Sequence, residues 1–268
     1  MEYLNFKIVP DETSPDCAEI LVLVSLGAKT YDFLLDTGAA KTMVLSDEYT
    51  SSFQLSGEHE TRGVLGAIYN DLVVIPNLIA GPIVRDRLEA VRIRQAGPHS
   101  RNLLAMDILK DYCCHFLFDE NKIGFDEGKH AGLFYQLATS TKYHPCVEVS
   151  FGVIGANAVW DSGASMTVAD INFINNNPQL FKQCGESQGT DPTGTELCSS
   201  EFVMAPVEIG GIAFPETRVA GVDLSVISRD QKINAHLILG YNLIDKANWI
   251  FDFPSKKFNV TLIVPMLG

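Results

Sequence analysis

Residues 24–39 read VSLGAKTYDFLLDTGA, and residues 149–164 read VSFGVIGANAVWDSGA. The two stretches align without a gap and share Val-Ser, a turn glycine, an apolar run, and then Asp, a hydroxyl residue, Gly and Ala. A match of this length indicates an internal repeat, which constrains the architecture more than any single motif does. The repeat places Asp36 and Asp161 at equivalent positions, each at the end of an apolar strand.

The repeat continues along the chain in the same order in each half. The further matching segments are 77–91 with 207–222, 103–109 with 237–244, and 115–125 with 248–260. In the last pair, apolar runs flank a cluster of turn-forming residues, which predicts strand, turn and strand. Short runs rich in Val, Ile, Leu and Phe, separated by Gly, Pro, Asn and Asp, predict an all-β protein.

Length and charge limit the organisation and the partners. The chain has 268 residues, and the repeat predicts two similar lobes, 1–130 and 131–268, each large enough for its own core. The net charge of −13 disfavours nucleic acid and anionic membranes as partners, because both attract basic surfaces. The acidic balance fits either a solubilising surface or adaptation to acid conditions.

The cysteines are Cys17, Cys113, Cys114, Cys146, Cys184 and Cys198. None of their spacings is typical of a zinc site, and the sequence Cys-Cys-His at 113–115 is not a recognised ligand pattern. Cys184 and Cys198 flank a polar loop and would bridge in an oxidising compartment, whereas a reducing compartment would leave free thiols. The N-terminus shows no signal-peptide pattern, so we expect a cytoplasmic protein or one exported by another route.

The motifs Asp-Thr-Gly-Ala at 36–39 and Asp-Ser-Gly-Ala at 161–164 resemble the two active-site motifs of the aspartic proteases. Alanine after the glycine is closer to the retropepsin style than to the pepsin style. The family's downstream apolar-apolar-Gly strand is present at 238–240, but Ala105 replaces that glycine in the first half. The resemblance implies an all-β fold of two pseudo-twofold-related lobes with a few short helices, like two retropepsin-sized lobes in one chain.

The resemblance also implies that Asp36 and Asp161 are catalytic. Two neighbouring carboxylates share a proton, so one can activate water as a base while the other donates a hydrogen bond as an acid. We expect peptide-bond hydrolysis of an extended polypeptide by a monomer, with no metal or organic cofactor. The supporting motif residues are Thr37, Gly38 and Ala39 in the first lobe and Ser162, Gly163 and Ala164 in the second.

A candidate flap, a hairpin that closes over substrate, is formed by Gly63, Val64, Leu65 and Gly66. These residues follow Asp36 at about the separation found in retropepsins, although an ordinary hairpin would have the same pattern. The counterpart at 185–196 is rich in Gly and polar residues, which predicts an exposed mobile loop. Whether the molecule has one flap or two stays open.

Two other interpretations compete with a protease. A catalytically silent relative could keep the fold as a peptide-binding or inhibitory module, and Ala105 weakly favours that reading. A structural duplication could assemble only with another subunit, although one chain already carries both motifs. No His-Glu-x-x-His or Gly-x-Ser-x-Gly pattern offers another catalytic design.

Overall fold

The computed structural model describes residues 1–62, 67–126, 132–190 and 196–263. This part of the chain is predominantly β with a few short helices, which confirms the all-β prediction. The strands before residue 130 are β1 (Glu2–Pro10), β2 (Ala18–Leu26), β3 (Lys29–Leu35), β4 (Met43–Leu45), β5 (Gln54–Arg62), β6 (Ala67–Ala80), β7 (Ile83–Ile93), β8 (Asn102–Leu104), β9 (Cys113–Leu117) and β10 (Lys122–Asp126).

The later strands are β11 (Tyr135–Gln136), β12 (Ala138–Thr139), β13 (Pro145–Phe151), β14 (Ile154–Trp160), β15 (Thr167–Asp170), β16 (Phe181–Thr190), β17 (Glu196–Met204), β18 (Val207–Ile209), β19 (Ile212–Phe214), β20 (Thr217–Val222), β21 (Leu237–Leu239), β22 (Ala247–Asp252) and β23 (Lys257–Leu262). The α-helices are α1 (Met106–Leu109), α2 (Ile171–Asn176), α3 (Ser225–Gln231) and α4 (Tyr241–Ile244), and 3-10 turns occupy Thr50–Ser52 and Pro178–Leu180. Among the described residues, no helix has the length and apolar character needed to cross a membrane.

Two sheets organise the described strands. The first runs β11-β23-β22-β9-β10-β1-β2-β3-β8-β4-β7-β6-β5, and the second runs β16-β17-β20-β15-β21-β14-β13-β18-β19 with β12 beside β13. The first sheet takes strands from both ends of the chain, because β22 pairs antiparallel with β9 and places Trp249 opposite Phe116. The predicted strand–turn–strand units at 115–125 and 248–260 are confirmed as the hairpins β9–β10 and β22–β23.

A cluster of aromatic side chains packs beneath this shared part of the first sheet. The Trp160 ring lies 4.6 Å from Phe116 and 4.9 Å from Phe251, measured between ring centroids, and Trp249 stacks on Phe214 at 5.6 Å. All five side chains are fully buried or nearly so. Trp160, which directly precedes Asp161, is therefore a core residue.

The same local unit appears twice. β3 pairs in parallel with β8, and Leu35 lies opposite Leu104 just before α1. β14 pairs in parallel with β21, and Trp160 lies opposite Leu239 just before α4. Each unit delivers one motif loop from the end of a buried strand.

Two long hairpins, β5–β6 and β16–β17, also correspond to each other. Each is interrupted by an irregularity in register, at Leu55/Gly57 and at Gln183/Gly185. The prediction of a mobile loop at 185–196 is wrong up to Thr190, because cross-strand backbone pairing orders this polar segment as β16.

The register of the β16–β17 hairpin also decides whether Cys184 and Cys198 can form a disulfide. Cys198 lies opposite Gln188, four strand positions from Cys184, which corresponds to about 13 Å along the strand. A disulfide needs Cα atoms within about 7 Å, so these two thiols cannot bridge in this register. Both are free and exposed.

Asp170 caps α2, and Pro178 begins a separate 3-10 turn. Asp170 Oδ1 accepts hydrogen bonds from the backbone amides of Asn172 at 2.8 Å and Phe173 at 3.1 Å. Its Oδ2 accepts from the amide of Leu224 at 2.9 Å, so one nearly buried carboxylate joins two segments.

We expect Asp170→Ala to lower the free energy of unfolding by about 2–4 kcal/mol, because the cap is lost and buried amides lose their acceptor. Asp170→Asn should cost less, since one acceptor oxygen remains. Urea denaturation of both variants measures the difference, and equal losses would contradict the dual role of the carboxylate.

Candidate active site

The two motif aspartates are held in matching backbone settings. Asp36 follows β3, and its amide donates to the carbonyl of Leu104 at 2.9 Å. Asp161 follows β14, and its amide donates to the carbonyl of Leu239 at 3.0 Å. In each half, the parallel neighbouring strand holds the backbone of the motif aspartate. The two aspartate side chains therefore leave their loops in equivalent positions.

The structure brings the two loops together. The amide of Gly38 crosses from the first half to donate to Asp161 Oδ1 at 3.1 Å, and the amide of Gly163 donates to the same oxygen at 2.8 Å. A Cβ added to Gly38 would lie 2.2 Å from Asp161 Oδ2, and one added to Gly163 would lie 2.5 Å from Asp36 Cγ. Only glycine therefore allows each backbone to approach the opposite carboxyl group this closely.

Thr37 and Ser162 cross-link the loops in a reciprocal arrangement. The Thr37 amide donates to Ser162 Oγ at 3.1 Å, and the Ser162 amide donates to Thr37 Oγ1 at 3.0 Å. Each hydroxyl then donates to the opposite strand end, Thr37 Oγ1 to the Trp160 carbonyl at 2.9 Å and Ser162 Oγ to the Leu35 carbonyl at 2.7 Å. Both side chains are buried, so these groups have no access to water as a substitute partner.

Ala39 and Ala164 contribute through their backbones. The Ala39 carbonyl accepts from the Met106 amide at 3.0 Å, and the Ala164 carbonyl accepts from the Tyr241 amide at 2.8 Å. These bonds tie the end of each motif to the first residue of α1 and α4.

A second set of hydrogen bonds lies beneath the loops. These contacts were not predicted from the sequence. Thr42 donates through its amide and hydroxyl to the Asp107 carboxyl group at 3.0 and 2.7 Å. Thr167 donates through its amide and hydroxyl to Asn242 Oδ1, both at 2.8 Å. The signal was present, because both threonines follow their motif aspartates by the same number of residues.

Ala105 departs from this symmetry. At the equivalent position, a Cβ on Gly240 would lie 2.4 Å from the Met166 carbonyl carbon. The Gly240 amide donates to Thr167 Oγ1 at 3.1 Å, whereas the Ala105 amide is 3.4 Å from Thr42 Oγ1. The first half therefore accommodates the extra methyl group of Ala105 with a longer contact between the Ala105 amide and Thr42 Oγ1.

The two carboxyl groups differ in their electrostatic surroundings. Burial, and then the neighbouring charge of Asp161, raises the pKa of Asp36 well above its usual range. Burial also raises the pKa of Asp161, but hydrogen bonds from the backbone amides of Gly163 and Gly38 oppose that rise. The pair therefore retains a proton above the pH at which an isolated aspartate loses it, and the amide donors favour the negative charge on Asp161.

The candidate flap residues Gly63, Val64, Leu65 and Gly66 lie outside the described residues. The strands that lead to and from them are described, because β5 ends at Arg62 and β6 begins at Ala67.

Comparison of the chain with protein-family models and with curated proteins finds no match in either.

We expect Thr37→Val to destabilise the fold by about 2–4 kcal/mol, because the Ser162 amide and the Trp160 carbonyl would each lose a buried partner. Thr37→Ser keeps the hydroxyl and serves as the matched control, with a smaller loss from the missing methyl group. Urea unfolding gives both values, and a loss below about 0.5 kcal/mol in the valine variant would contradict the cross-link.

The raised pKa of Asp36 also predicts how stability depends on pH. The folded state keeps a proton that the unfolded chain releases near an ordinary aspartate pKa of about 3.9, so stability falls as pH rises through the interval above that value. The variant Asp36→Asn lacks this proton and the repulsion from Asp161. Its free energy of unfolding should therefore fall less as the pH rises.

Urea unfolding of both proteins between about pH 4 and pH 7 measures that difference. The comparison cancels other titrating carboxyl groups, including Asp107 and Asp245, whose pKa values burial also raises. Parallel stability curves for the two proteins would show that the pair holds no extra proton.

Proposed function

We propose that this protein is an aspartic endopeptidase in which Asp36 and Asp161 hydrolyse peptide bonds with one water molecule. The observation that carries the proposal is the reciprocal cross-link of Thr37 and Ser162, which forces two equivalent carboxyl groups together. A single Asp-Thr-Gly turn would need no such arrangement. Asp36 and Asp161 are each only partly buried as whole residues, which leaves a side from which a substrate and a water molecule could approach.

The proposed chemistry uses one proton shared between the two side chains. The ionised carboxylate takes a proton from the water molecule while the water oxygen attacks the scissile carbonyl carbon. At the same time the neutral carboxyl group gives its proton to the carbonyl oxygen. Collapse of the resulting diol breaks the C–N bond, with a proton passing to the departing nitrogen. Thus each carboxyl group acts as acid and base within one cycle.

The surroundings favour one starting protonation state. The backbone amides of Gly38 and Gly163 both donate to Asp161 Oδ1, which stabilises negative charge on that carboxyl group. We propose that Asp161 begins as the base and Asp36 as the proton donor. The titration still belongs to the coupled pair.

We further propose that the fold is the two-lobed acid-protease arrangement, with lobes 1–130 and 131–268 related by a pseudo-twofold axis. The repeated strand–loop–helix units and the matching threonine contacts support this proposal. An extended polypeptide would lie between the lobes. Backbone groups at the ends of β5–β6 and β16–β17 would pair with it as an added strand does.

Cleavage of a diverse peptide mixture, followed by mass spectrometry from about pH 3 to about pH 7.5, tests the proposal. We expect the wild-type protein to cut peptides, and Asp36→Asn and Asp161→Asn each to lose at least about 100-fold in rate. Asp32→Asn, an exposed aspartate on β3, is the matched control and should remain active.

The outcomes separate the alternatives. A wild-type protein that binds peptides without cutting them would support a catalytically silent module instead. Loss of activity in only one of the two aspartate variants would contradict the shared-proton mechanism.

A further inference from the structure

A cluster of three different side chains lies in the part of the first sheet that both ends of the chain build. Cys113 and His115 are on β9, and Asp126 ends β10. One ligand-type atom from each residue lies within 4.8 Å of the other two. Cys113 Sγ is 3.8 Å from His115 Nε2, and Asp126 Oδ2 is 2.9 Å from the same nitrogen.

Strand register explains why these residues meet. Cys113 and His115 are two positions apart, so their side chains share one face of β9. Asp126 lies directly opposite Cys113 on one side, and Asp252 of β22 lies opposite it on the other. The spacing of Cys113, Cys114 and His115 matched no recognised ligand pattern, so the sequence did not predict that Cys113 and His115 would meet Asp126.

The geometry differs from that of a catalytic thiol. In a Cys-His-Asp relay, the thiol and the carboxylate contact opposite nitrogens of the imidazole ring. Here sulfur and carboxylate oxygen both approach Nε2, and the three ligand-type atoms lie within 4.8 Å of one another. Burial and the charges of Asp126 and Asp252 also raise the pKa of Cys113, the reverse of what activates a nucleophilic cysteine.

We propose that Cys113, His115 and Asp126 bind a divalent transition-metal cation of the zinc type. Sulfur, imidazole nitrogen and carboxylate oxygen are the donor atoms that zinc takes in proteins. In a tetrahedral site these atoms lie about 3.3–3.8 Å apart, as follows from metal–ligand distances of about 2.0–2.3 Å. The 3.8 Å contact already fits, and the 2.9 Å contact needs to widen by roughly half an ångström as the cation replaces the shared proton.

Burial and charge suit such a site. The His115 side chain is 7% exposed and that of Asp126 is 19% exposed, so the cluster is shielded but can be reached from the side of Asp126. Asp252 is nearly buried beside Cys113 and adds negative charge, which favours a bound cation. The Cys113 thiol would lose its proton as the cation binds. A water molecule would occupy the fourth position.

The location lets the cation stabilise the fold. β9 pairs with β10 on one side and with β22 on the other, so a cation held by β9 and β10 lies beside the junction between the two halves. Binding to the folded state alone would raise the free energy of unfolding. This role does not depend on the proposed peptidase activity.

The test is metal titration of the full-length chain after treatment with a chelator. Cobalt(II) is the probe, because a cobalt–thiolate bond gives a near-ultraviolet charge-transfer band. Cys184→Ser and Cys198→Ser are introduced throughout, since these exposed thiols could bind cobalt adventitiously. We expect one equivalent of cobalt per chain, displaced by zinc, and a rise in Tm when zinc is added.

Variants then assign the ligands. Cys113→Ser should abolish the charge-transfer band, and Asp126→Asn should weaken cobalt binding by at least about tenfold. Cys114→Ser is the matched control, because it changes the neighbouring buried thiol on the opposite face and should leave the band and the stoichiometry intact. Asp126→Asn is nearly isosteric and partly exposed, so circular dichroism should show that it folds.

Three results would overturn the proposal. The first is failure of the parent protein to bind one equivalent of cobalt or zinc. The second is retention of the charge-transfer band in Cys113→Ser. The third is a zinc-induced rise in Tm that is as large in folded Asp126→Asn as in the parent protein.

Discussion

The mutual hydrogen bonding of Thr37 and Ser162 is the constraint on which the rest of this structure depends. Each buried hydroxyl satisfies a backbone amide of the opposite loop and a carbonyl at the end of the opposite strand. Neither loop could bury these groups alone, because an unpaired buried amide or carbonyl costs about 1–3 kcal/mol. The two halves must therefore meet at this point, and the aspartates next to these residues meet with them.

The support beneath the loops follows from the same requirement. A threonine in each half binds the first turn of a short helix, through Asp107 in one half and Asn242 in the other. The carboxyl and amide groups serve equally well here, because both offer an acceptor oxygen. The symmetry is thus one of hydrogen-bonding geometry, and the residues that provide it can differ, as Ala105 and Gly240 also do.

Bringing two carboxyl groups together costs free energy, because buried negative charges repel each other. Burial and mutual repulsion favour a retained proton, while amide donors from Gly38 and Gly163 stabilise one negative charge. This combination of one neutral and one charged group supplies the acid and the base of the proposed hydrolysis. At the proposed cation site the clustered acceptor groups would be balanced in a different way, by a bound positive ion instead of a retained proton.

Much of the fold and of the candidate site was predictable from the sequence. The repeat and the short apolar runs separated by turn formers determined the all-β character, the two hairpins at 115–125 and 248–260, and the equivalence of Asp36 and Asp161. Strand register and approach distances were decided only by the tertiary structure, since they depend on long-range pairing. That pairing ordered 185–190 as a strand, separated Cys184 from Cys198, and placed Cys113, His115 and Asp126 on one face, because local sequence does not specify which strands become neighbours.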